Sequence, residues 1–299
     1  MIQKDSERTK TYMKAVISKQ SNEEELNWIN QQENILLNNF KLRSFYLTFS
    51  SASRFIRKFK LHLTREDLAE AAKIREGFQP EHWTLLQSVR IYFLLMLPTE
   101  NEESYEKALI KLHEAADMDE QVALYSALPI LPYADLLAKR AAEGIRTNIT
   151  DVFDAIALHN PYPHDFLSQD AWNQMVLKAV FMQRPLYKIY GADTRANPEL
   201  ARMLVDFAHE RWAAGRKVLP ELWRFVGPFI DKEFIKDIEK IVSDSELLEK
   251  KAGLLACADS TLPQAQELLN LNPDFKKEIE SGRLNWTVIG KKTEDDLLK

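Results

Sequence analysis

Residues 151–164 read DVFDAIALHNPYPH and lie at the centre of residues 122–228. A helical segment with two aspartates ends here in a loop that holds two prolines, a tyrosine and two histidines. Proline lacks an amide hydrogen and disrupts a helix interior, so this loop marks a joint between helices. We predict short helices separated by such joints throughout residues 122–228.

The same helical signals extend over the rest of the chain. The hairpin dipeptides Asn-Gly, Asp-Gly and Gly-Gly are absent from the 299 residues, and sustained alternation of polar and apolar residues is hard to find. Apolar residues instead recur at helical spacing, and they predict an all-α protein. Many helices joined by proline-bearing turns favour stacked helix pairs, an α-solenoid of HEAT or armadillo character. A globular helical bundle is the alternative. One core-facing stripe comprises Trp172, Met175, Val176, Ala179 and Val180.

Polar residues that precede apolar-periodic segments predict where helices begin. A serine, threonine or asparagine at the N-cap position accepts a hydrogen bond from an amide of the first turn. We expect this role for Ser21, Thr64, Asn148, Ser168 and Asn197. The Asn148 cap would start the helix that carries the two aspartates.

We expect three regions within one continuous domain. Residues 1–120 form an N-terminal helical region, residues 121–230 a helical core, and residues 231–299 more charged helices with a tail. The tail is predicted to fray from Gly290 onward. Hydrophobic residues make up 45% of the chain, which is enough for a sizeable core.

Charge and cysteine content limit the partners and the compartment. The net charge is −5 and the pI is near 5.8, which argues against a nucleic-acid partner. Cys257 is the one cysteine, so no disulfide can form within the chain; it is predicted to be a buried core residue. The N-terminus has no apolar signal segment, and the apolar run at residues 91–97 is too short to cross a membrane. We therefore expect a cytoplasmic protein.

Glycine and histidine positions exclude several motifs. The eight glycines are too far apart for G-x-G-x-x-G, Walker A or G-x-S-x-G spacing. The His-Glu pairs at 113–114 and 209–210 begin like H-E-x-x-H but lack the second histidine. His159 and His164 are separated by the proline-rich loop rather than by one helical turn. No metal, no other cofactor and no catalytic residue is therefore expected.

Polar and aromatic side chains cluster on both sides of the proline loop. Helix-to-loop junctions of consecutive helix pairs fall on one edge of a solenoid, so these side chains could line a concave groove. The alternative is that the aromatic residues belong to the core and the others to the surface. Tyr187 and Tyr190 belong to the same polar-aromatic set. The candidate groove comprises Arg146, Asp151, Asp154, His159, Asn160, Tyr162, His164, Trp172, Asn173, Lys178, Arg184, His209, Arg211 and Trp212.

Asp151 and Asp154 are three residues apart and share one helix face. All-α isoprenoid enzymes hold magnesium and diphosphate on aspartate-rich helices, but with more carboxylates on two facing helices. An enzyme acting on a prenylated or aromatic metabolite with magnesium is therefore the alternative hypothesis, with Arg146, Lys178 or Arg184 on the anion. The simpler interpretation is that Asp151 binds first-turn amides and that Asp154 pairs with a neighbour such as Arg146.

A basic cluster interleaved with aromatic residues lies in the N-terminal third. It is interpreted either as a solvated helix face or as a contact with an anionic ligand or a membrane surface. The second interpretation defines a third hypothesis, a membrane-peripheral adaptor. The cluster comprises Arg54, Phe55, Arg57, Lys58, Phe59 and Lys60.

Five runs of sequence resemble the EboA family. They are RAAEGIRTN at 140–148, DVFDAIAL at 151–158, NPYP at 160–163, AWNQMVLKA at 171–179 and HERWAAGR at 209–216. The resemblance covers residues 120–230 and is weak in the N-terminal third.

The resemblance implies a role in metabolite traffic. EboA proteins are encoded in a bacterial gene cluster linked to metabolite export, together with a UbiA-type membrane protein and relatives of metal-dependent enzymes. The family has no established catalytic activity, so no catalytic residues carry over. A non-enzymatic accessory or scaffold protein is therefore implied, which binds a small metabolite or other products of the same cluster.

Overall fold

The structure is a computed structural model that describes residues 2–244 and 246–297, with side chains over 6–243 and 246–297. Within this part of the chain the protein is all-helical, as predicted, and no β-strand is present. An isolated antiparallel bridge joins Lys60 to Thr84. None of the helices so described combines the length and apolarity that crossing a bilayer requires.

The chain divides into two compact units, Met1–Leu167 and Ser168–Lys299. The division falls inside residues 121–230, which the sequence suggests as the core. The three predicted regions remain a prediction, and the last two residues of the third, 298–299, lie outside the described residues.

The first unit contains ten α-helices over its described residues. Short 3-10 turns join several of them, including Ala52–Arg54, Pro80–His82, Leu128–Ile130 and Ala134–Leu137. The helices are α1 (Ile2–Gln20), α2 (Glu23–Asn38), α3 (Leu42–Ser51), α4 (Arg65–Ile74), α5 (Leu85–Leu94), α6 (Glu102–Ala115), α7 (Met118–Ala127), α8 (Ala138–Gly144), α9 (Thr150–Ala157) and α10 (Tyr162–Phe166).

Helix α5 is the centre of the first unit, since each of its ten residues is buried. Helices α1, α3 and α7 pack around it. Its one charged residue, Arg90, is 1% exposed, and its Nη2 lies 3.6 Å from Oε1 of Glu120 on α7. A buried guanidinium needs such a counter-charge, because leaving it unpaired away from water would cost several kcal/mol.

The second unit contains seven α-helices over its described residues. The 3-10 turns Leu186–Lys188, Pro220–Arg224 and Gly227–Phe229 lie between them. The helices are α11 (Gln169–Phe181), α12 (Pro198–Ala213), α13 (Ile235–Asp244), α14 (Leu247–Asp259), α15 (Pro263–Asn270), α16 (Pro273–Glu280) and α17 (Trp286–Leu297).

Helix α14 is central in the second unit. It packs against α13, α15, α16, α17 and the turn Pro220–Arg224. In each unit a central helix packs against several others, which fits the alternative prediction of a globular helical bundle. The stacked pairs of an α-solenoid are not confirmed, because a solenoid repeat packs mainly against its neighbours in sequence.

Three of the five predicted N-caps are confirmed. The side chains of Thr64, Ser168 and Asn197 each accept a hydrogen bond from an amide in the first turn of the following helix. The prediction for Ser21 is wrong by one residue, since Asn22 caps α2. The prediction for Asn148 is also wrong, because α9 begins at Thr150 with Ile149 at the N-cap position and no side-chain cap bond.

The C-terminal segment differs from the predicted frayed tail. Helix α17 runs from Trp286 to Leu297, and Ile289, Gly290 and Thr293 on it are buried. These three residues lie on one face, and the helix packs against the 3-10 turns Leu186–Lys188 and Pro220–Arg224. Polar composition alone suggested fraying, whereas a narrow buried stripe is enough to hold this helix.

The basic cluster does not continue a helix. Helix α3 ends at Ser51, and a 3-10 turn ends at Arg54. The helix-face interpretation is therefore wrong for Arg57, Lys58 and Lys60, which follow that turn.

Candidate functional site

A cavity of about 290 Å³ lies in the second unit; we call it the Glu221 cavity. Its wall comes from three segments that are distant in sequence: the end of α11 and the loop after it, the turn Pro220–Arg224, and α17. The wall mixes apolar side chains with a few polar ones, as is typical of small-molecule sites. The lining residues are Met182, Gln183, Arg184, Pro185, Leu219, Glu221, Thr293, Glu294 and Leu297.

Glu221 is a carboxyl group taken out of water, since its exposed fraction is 0%. The amide of Tyr187 donates to Oε1 at 2.5 Å, and the amide of Leu186 donates to Oε2 at 3.3 Å. Burial raises the pKa of Glu221 to about 7, although the two amides and Arg224 act in the opposite direction. Near neutral pH the group therefore exchanges between its protonated and ionised forms.

Glu294 is the second carboxyl group of the cavity and behaves differently. Its Oε2 accepts a hydrogen bond of 2.8 Å from the Tyr187 hydroxyl, and its Oε1 accepts one of 2.8 Å from Lys188 Nζ. Burial raises the pKa of Glu294, but the bonds from Lys188 and Tyr187 outweigh it and leave the pKa below its usual value. The cavity thus pairs an ionised carboxylate with a carboxyl group that holds its proton to higher pH.

Gly290 allows α17 to approach these groups. A Cβ at this position would overlap the Tyr187 ring and stand 2.6 Å from Oε1 of Glu221. Glycine is therefore required where the helix backbone passes the buried carboxyl.

Of the predicted groove residues, Arg184 lines this cavity. Glu221, Gly290, Thr293 and Glu294 were not predicted. One local signal was available: Glu221 is the one charged residue in the run VLPELW at 218–223. The partners of Glu221 on α17 follow about seventy positions later, so no spacing pattern connects them.

In the first unit, the corner after α9 is built around His159. Its φ is 54°, in the left-handed region. The imidazole stacks on His82 with 3.4 Å between ring centroids, and Nδ1 lies 2.7 Å from Oε1 of Gln79. His159 therefore ties the proline loop to the turn Pro80–His82.

Asn160 and Tyr162 are buried and hold the same corner together. Asn160 Nδ2 donates to the carbonyl oxygens of Tyr125 at 3.1 Å and Ala155 at 2.8 Å, and its Oδ1 accepts from the Tyr162 amide at 2.9 Å. The Tyr162 hydroxyl donates to the carbonyl of Ala134. These contacts support the fold rather than a ligand. Next to them, Nδ1 of His164 lies 2.6 Å from a carboxylate oxygen of Asp165.

The two aspartates of α9 lie at its surface: Asp151 is exposed and Asp154 is half-buried, while Arg146 upstream is exposed. Over the residues that the structure describes, no group of three His, Cys, Asp or Glu side chains is placed to hold a metal ion. The arrangement offers no specific support for the magnesium alternative, whose known examples use more carboxylates than this pair.

In the second unit, Trp172 and Asn173 are buried on α11. The Arg195 guanidinium lies 4.8 Å from the Trp172 ring, and Asn197 Nδ2 donates to Asn173 Oδ1 at 2.8 Å. The predicted stripe that contains Trp172 is confirmed, since its five residues are at most 2% exposed. Lys178 is half-buried on the same helix, and burial lowers its pKa.

The end of α12 carries the remaining predicted residues. Lys240 Nζ lies 3.7 Å above the Trp212 ring. His209 Nε2 lies 2.9 Å from Oδ1 of Asp237, and Arg211 Nε donates to the carbonyl of Lys217 at 2.9 Å. The predicted residues thus form local groups within each unit, and their union in a single groove remains a prediction.

The helices and the Glu221 cavity define the class as an all-helical protein with a small, partly polar cavity. A family model described as "Metabolite traffic protein EboA" matches residues 9–227. Because the match covers more than half of the chain, the protein belongs to the EboA family. The match begins at residue 9, so it extends the resemblance beyond residues 120–230 into the N-terminal third. No curated protein and no solved structure matches the chain.

Proposed function

We propose that the protein is a non-enzymatic accessory protein in metabolite traffic that binds a small metabolite in the Glu221 cavity. The observation that carries this proposal is the combination of Glu221, Glu294 and Arg184 with apolar walls in one cavity of about 290 Å³. The family description, metabolite traffic, is consistent with a protein that holds a metabolite, and this cavity combines the apolar and polar groups typical of small-molecule sites.

The lining favours a small molecule with an apolar body and a hydrogen-bond donor at one end. Met182, Leu219 and Leu297 offer apolar surface to the body. Glu294 is an acceptor for a hydroxyl or ammonium group. An anionic end could pair with the Arg184 guanidinium, but it would also meet the ionised carboxylate of Glu294 and the partly ionised Glu221, and like charges repel.

The bonding of Glu221 supports binding rather than catalysis. Both of its oxygens accept backbone amides, and the side chain is fully buried. A general acid or base must come within hydrogen-bond reach of a reacting proton. We infer that Glu221 contributes to the electrostatic potential inside the cavity without contacting a reacting group of the ligand.

Three probes with the same ring and different ends test this proposal: benzylamine, benzyl alcohol and benzoate. Saturation-transfer NMR should detect the amine and the alcohol and not benzoate. Glu294→Gln should weaken the binding of benzylamine at least about tenfold, because the ionised acceptor is lost. The binding of benzyl alcohol should weaken less. Glu239→Gln, on the exposed surface of α13, is the matched control. Absence of binding by all three probes, or equal binding by wild type and Glu294→Gln, would remove the proposal.

We also propose that the predicted groove residues contact partners encoded in the same gene cluster, including a UbiA-type membrane protein, and that this occurs in the cytoplasm. The support is the family description and the surface position of Asp154, His159 and Arg211, each partly exposed. Co-purification with the cluster products should be lost on substituting these three residues together, at unchanged thermal stability. Retained co-purification would contradict this part.

A further inference from the structure

The segment after α3 presents an aromatic ring to solvent. Phe55 is 50% exposed, and its ring stacks on Trp28 of α2 with 4.9 Å between centroids and 14° between planes. Stacking on Trp28 restricts the orientation of the Phe55 ring, so the other face of the ring stays exposed to solvent. Large apolar side chains in such a position are typical of residues that enter the interfacial region of a bilayer.

Basic side chains surround this ring. Arg54, Arg57, Lys58 and Lys60 are exposed within seven residues. Arg57 donates to both carboxylate oxygens of Glu25, through Nε at 3.0 Å and Nη2 at 2.9 Å. Lys58 Nζ lies 2.8 Å from Oδ1 of Asp119.

Four cations thus face two carboxylates, and the segment keeps a net positive charge in a chain of net charge −5. The Arg57 pair also fixes a guanidinium at the surface, where its side chain remains 56% exposed. We call residues 54–60 the Phe55 patch.

A surface depression of about 490 Å³ lies beside Phe55. Ile56 and Leu86 contribute apolar surface to it, and Arg54, Arg57 and Lys58 lie around it. Asp119, the partner of Lys58, is also part of the lining, so the cations outnumber the carboxylates there by three to one. Basic groups around a depression next to a projecting ring are complementary to a phosphate headgroup above an acyl-chain boundary.

We propose that the Phe55 patch docks the protein on an anionic lipid bilayer. The cations contact lipid phosphates and the Phe55 ring enters the interface. The binding is peripheral and reversible, because one ring and a small net charge give modest affinity. This inference is independent of ligand binding in the Glu221 cavity, which lies in the other unit.

Sedimentation with vesicles tests the proposal on the full chain. We expect binding to phosphatidylcholine vesicles that contain about 30% phosphatidylserine, and little binding to phosphatidylcholine alone. Raising the salt from about 0.05 M to about 0.5 M should release the protein, because screening shortens the range of the attraction. Arg54→Glu with Lys60→Glu should reduce the bound fraction at least about tenfold. Phe55→Ser should reduce it at unchanged salt dependence.

Lys232→Glu with Lys236→Glu reverses two exposed lysine charges in the second unit and is the matched control. Thermal unfolding confirms that each variant is folded. Phe55→Leu keeps an apolar side chain and should retain most of the binding, which separates insertion from loss of the stack on Trp28. No sedimentation with anionic vesicles at low salt would overturn the proposal. An equal loss of vesicle binding in the control pair would also overturn the proposal. Release of the protein from the vesicles by inorganic phosphate at constant ionic strength would overturn it as well.

Discussion

Gly290 and Glu221 are in contact across the second unit, such that a Cβ at position 290 would stand 2.6 Å from the buried carboxyl oxygen. This close approach brings Thr293 and Glu294 into the wall of the cavity. The family match ends at residue 227, so α17 completes the cavity from outside the matched region.

Gly290→Ala should therefore destabilise the protein by about 3 kcal/mol, since the new methyl group overlaps the Tyr187 ring and the Glu221 carboxyl. Urea unfolding measures the change. Gly282→Ala is a matched control, because a Cβ there meets nothing within 4 Å and only the φ of 71° opposes it. Gly282→Ala should lower the free energy of unfolding by about 1 kcal/mol. Equal losses for the two variants would contradict the packing argument.

Glu221 should make stability fall as pH rises. Its pKa of about 7 in the folded protein lies above the ordinary value of 4.5, so the folded state binds the proton more tightly. The stabilisation is complete below about pH 4.5 and is lost as pH rises through about 7. Between pH 5 and pH 8 we expect wild type to lose about 2 kcal/mol relative to Glu221→Gln.

Urea unfolding of both proteins at these two pH values measures this difference directly. The comparison cancels the titration of other groups, and Glu239→Gln should leave the pH dependence of wild type unchanged. A constant difference between wild type and Glu221→Gln would show that Glu221 keeps an ordinary pKa.

Asn160→Ala should lower the free energy of unfolding by about 2 to 3 kcal/mol, because it leaves the Tyr162 amide and two carbonyl oxygens without their partner. Asn160→Asp should cost at least as much, since it keeps the shape but places an acceptor against the carbonyls of Tyr125 and Ala155. Chemical denaturation measures both. Asn27→Ala, at an exposed position of α2, should stay within about 0.5 kcal/mol of wild type. An unchanged free energy of unfolding in Asn160→Ala would show that the corner is held by other contacts.

Cys257 should not react in the folded protein. Its thiol is fully buried, and burial raises its pKa to about 12, so almost no thiolate is present at pH 8. Ellman's reagent should therefore label the native protein very slowly and label one thiol per chain in guanidinium chloride. Rapid labelling in native buffer would show that α14 opens frequently.

The residues that were predicted correctly depend on neighbours within one or two helical turns. Thr64, Ser168 and Asn197 cap helices because a first-turn amide lies next to each hydroxyl or amide oxygen. The stripe that includes Trp172 is buried because its spacing places it on one helix face. The predictions for Ser21 and Asn148 miss the N-cap by one residue, since Asn22 and Ile149 occupy that position instead.

The candidate site was predicted only in part. Arg184 belongs to the predicted groove residues, whereas no prediction included Glu221. Its pKa depends on the burial that α17 provides, and Tyr187 and Glu294 meet across more than a hundred residues. No pattern in the chain encodes a meeting at that separation.

By itself the amino-acid sequence determined the helical class, three helix N-caps, the buried stripe that includes Trp172 and the membership of the EboA family. These follow from helical periodicity, from capping within a few residues and from long matching runs. The tertiary structure alone decided that α5 and α14 lie at the centres of two bundles and that α17 closes a cavity over Glu221. Packing between distant segments removes water from particular side chains, and that removal changes the pKa of a carboxyl group in the wall of a cavity.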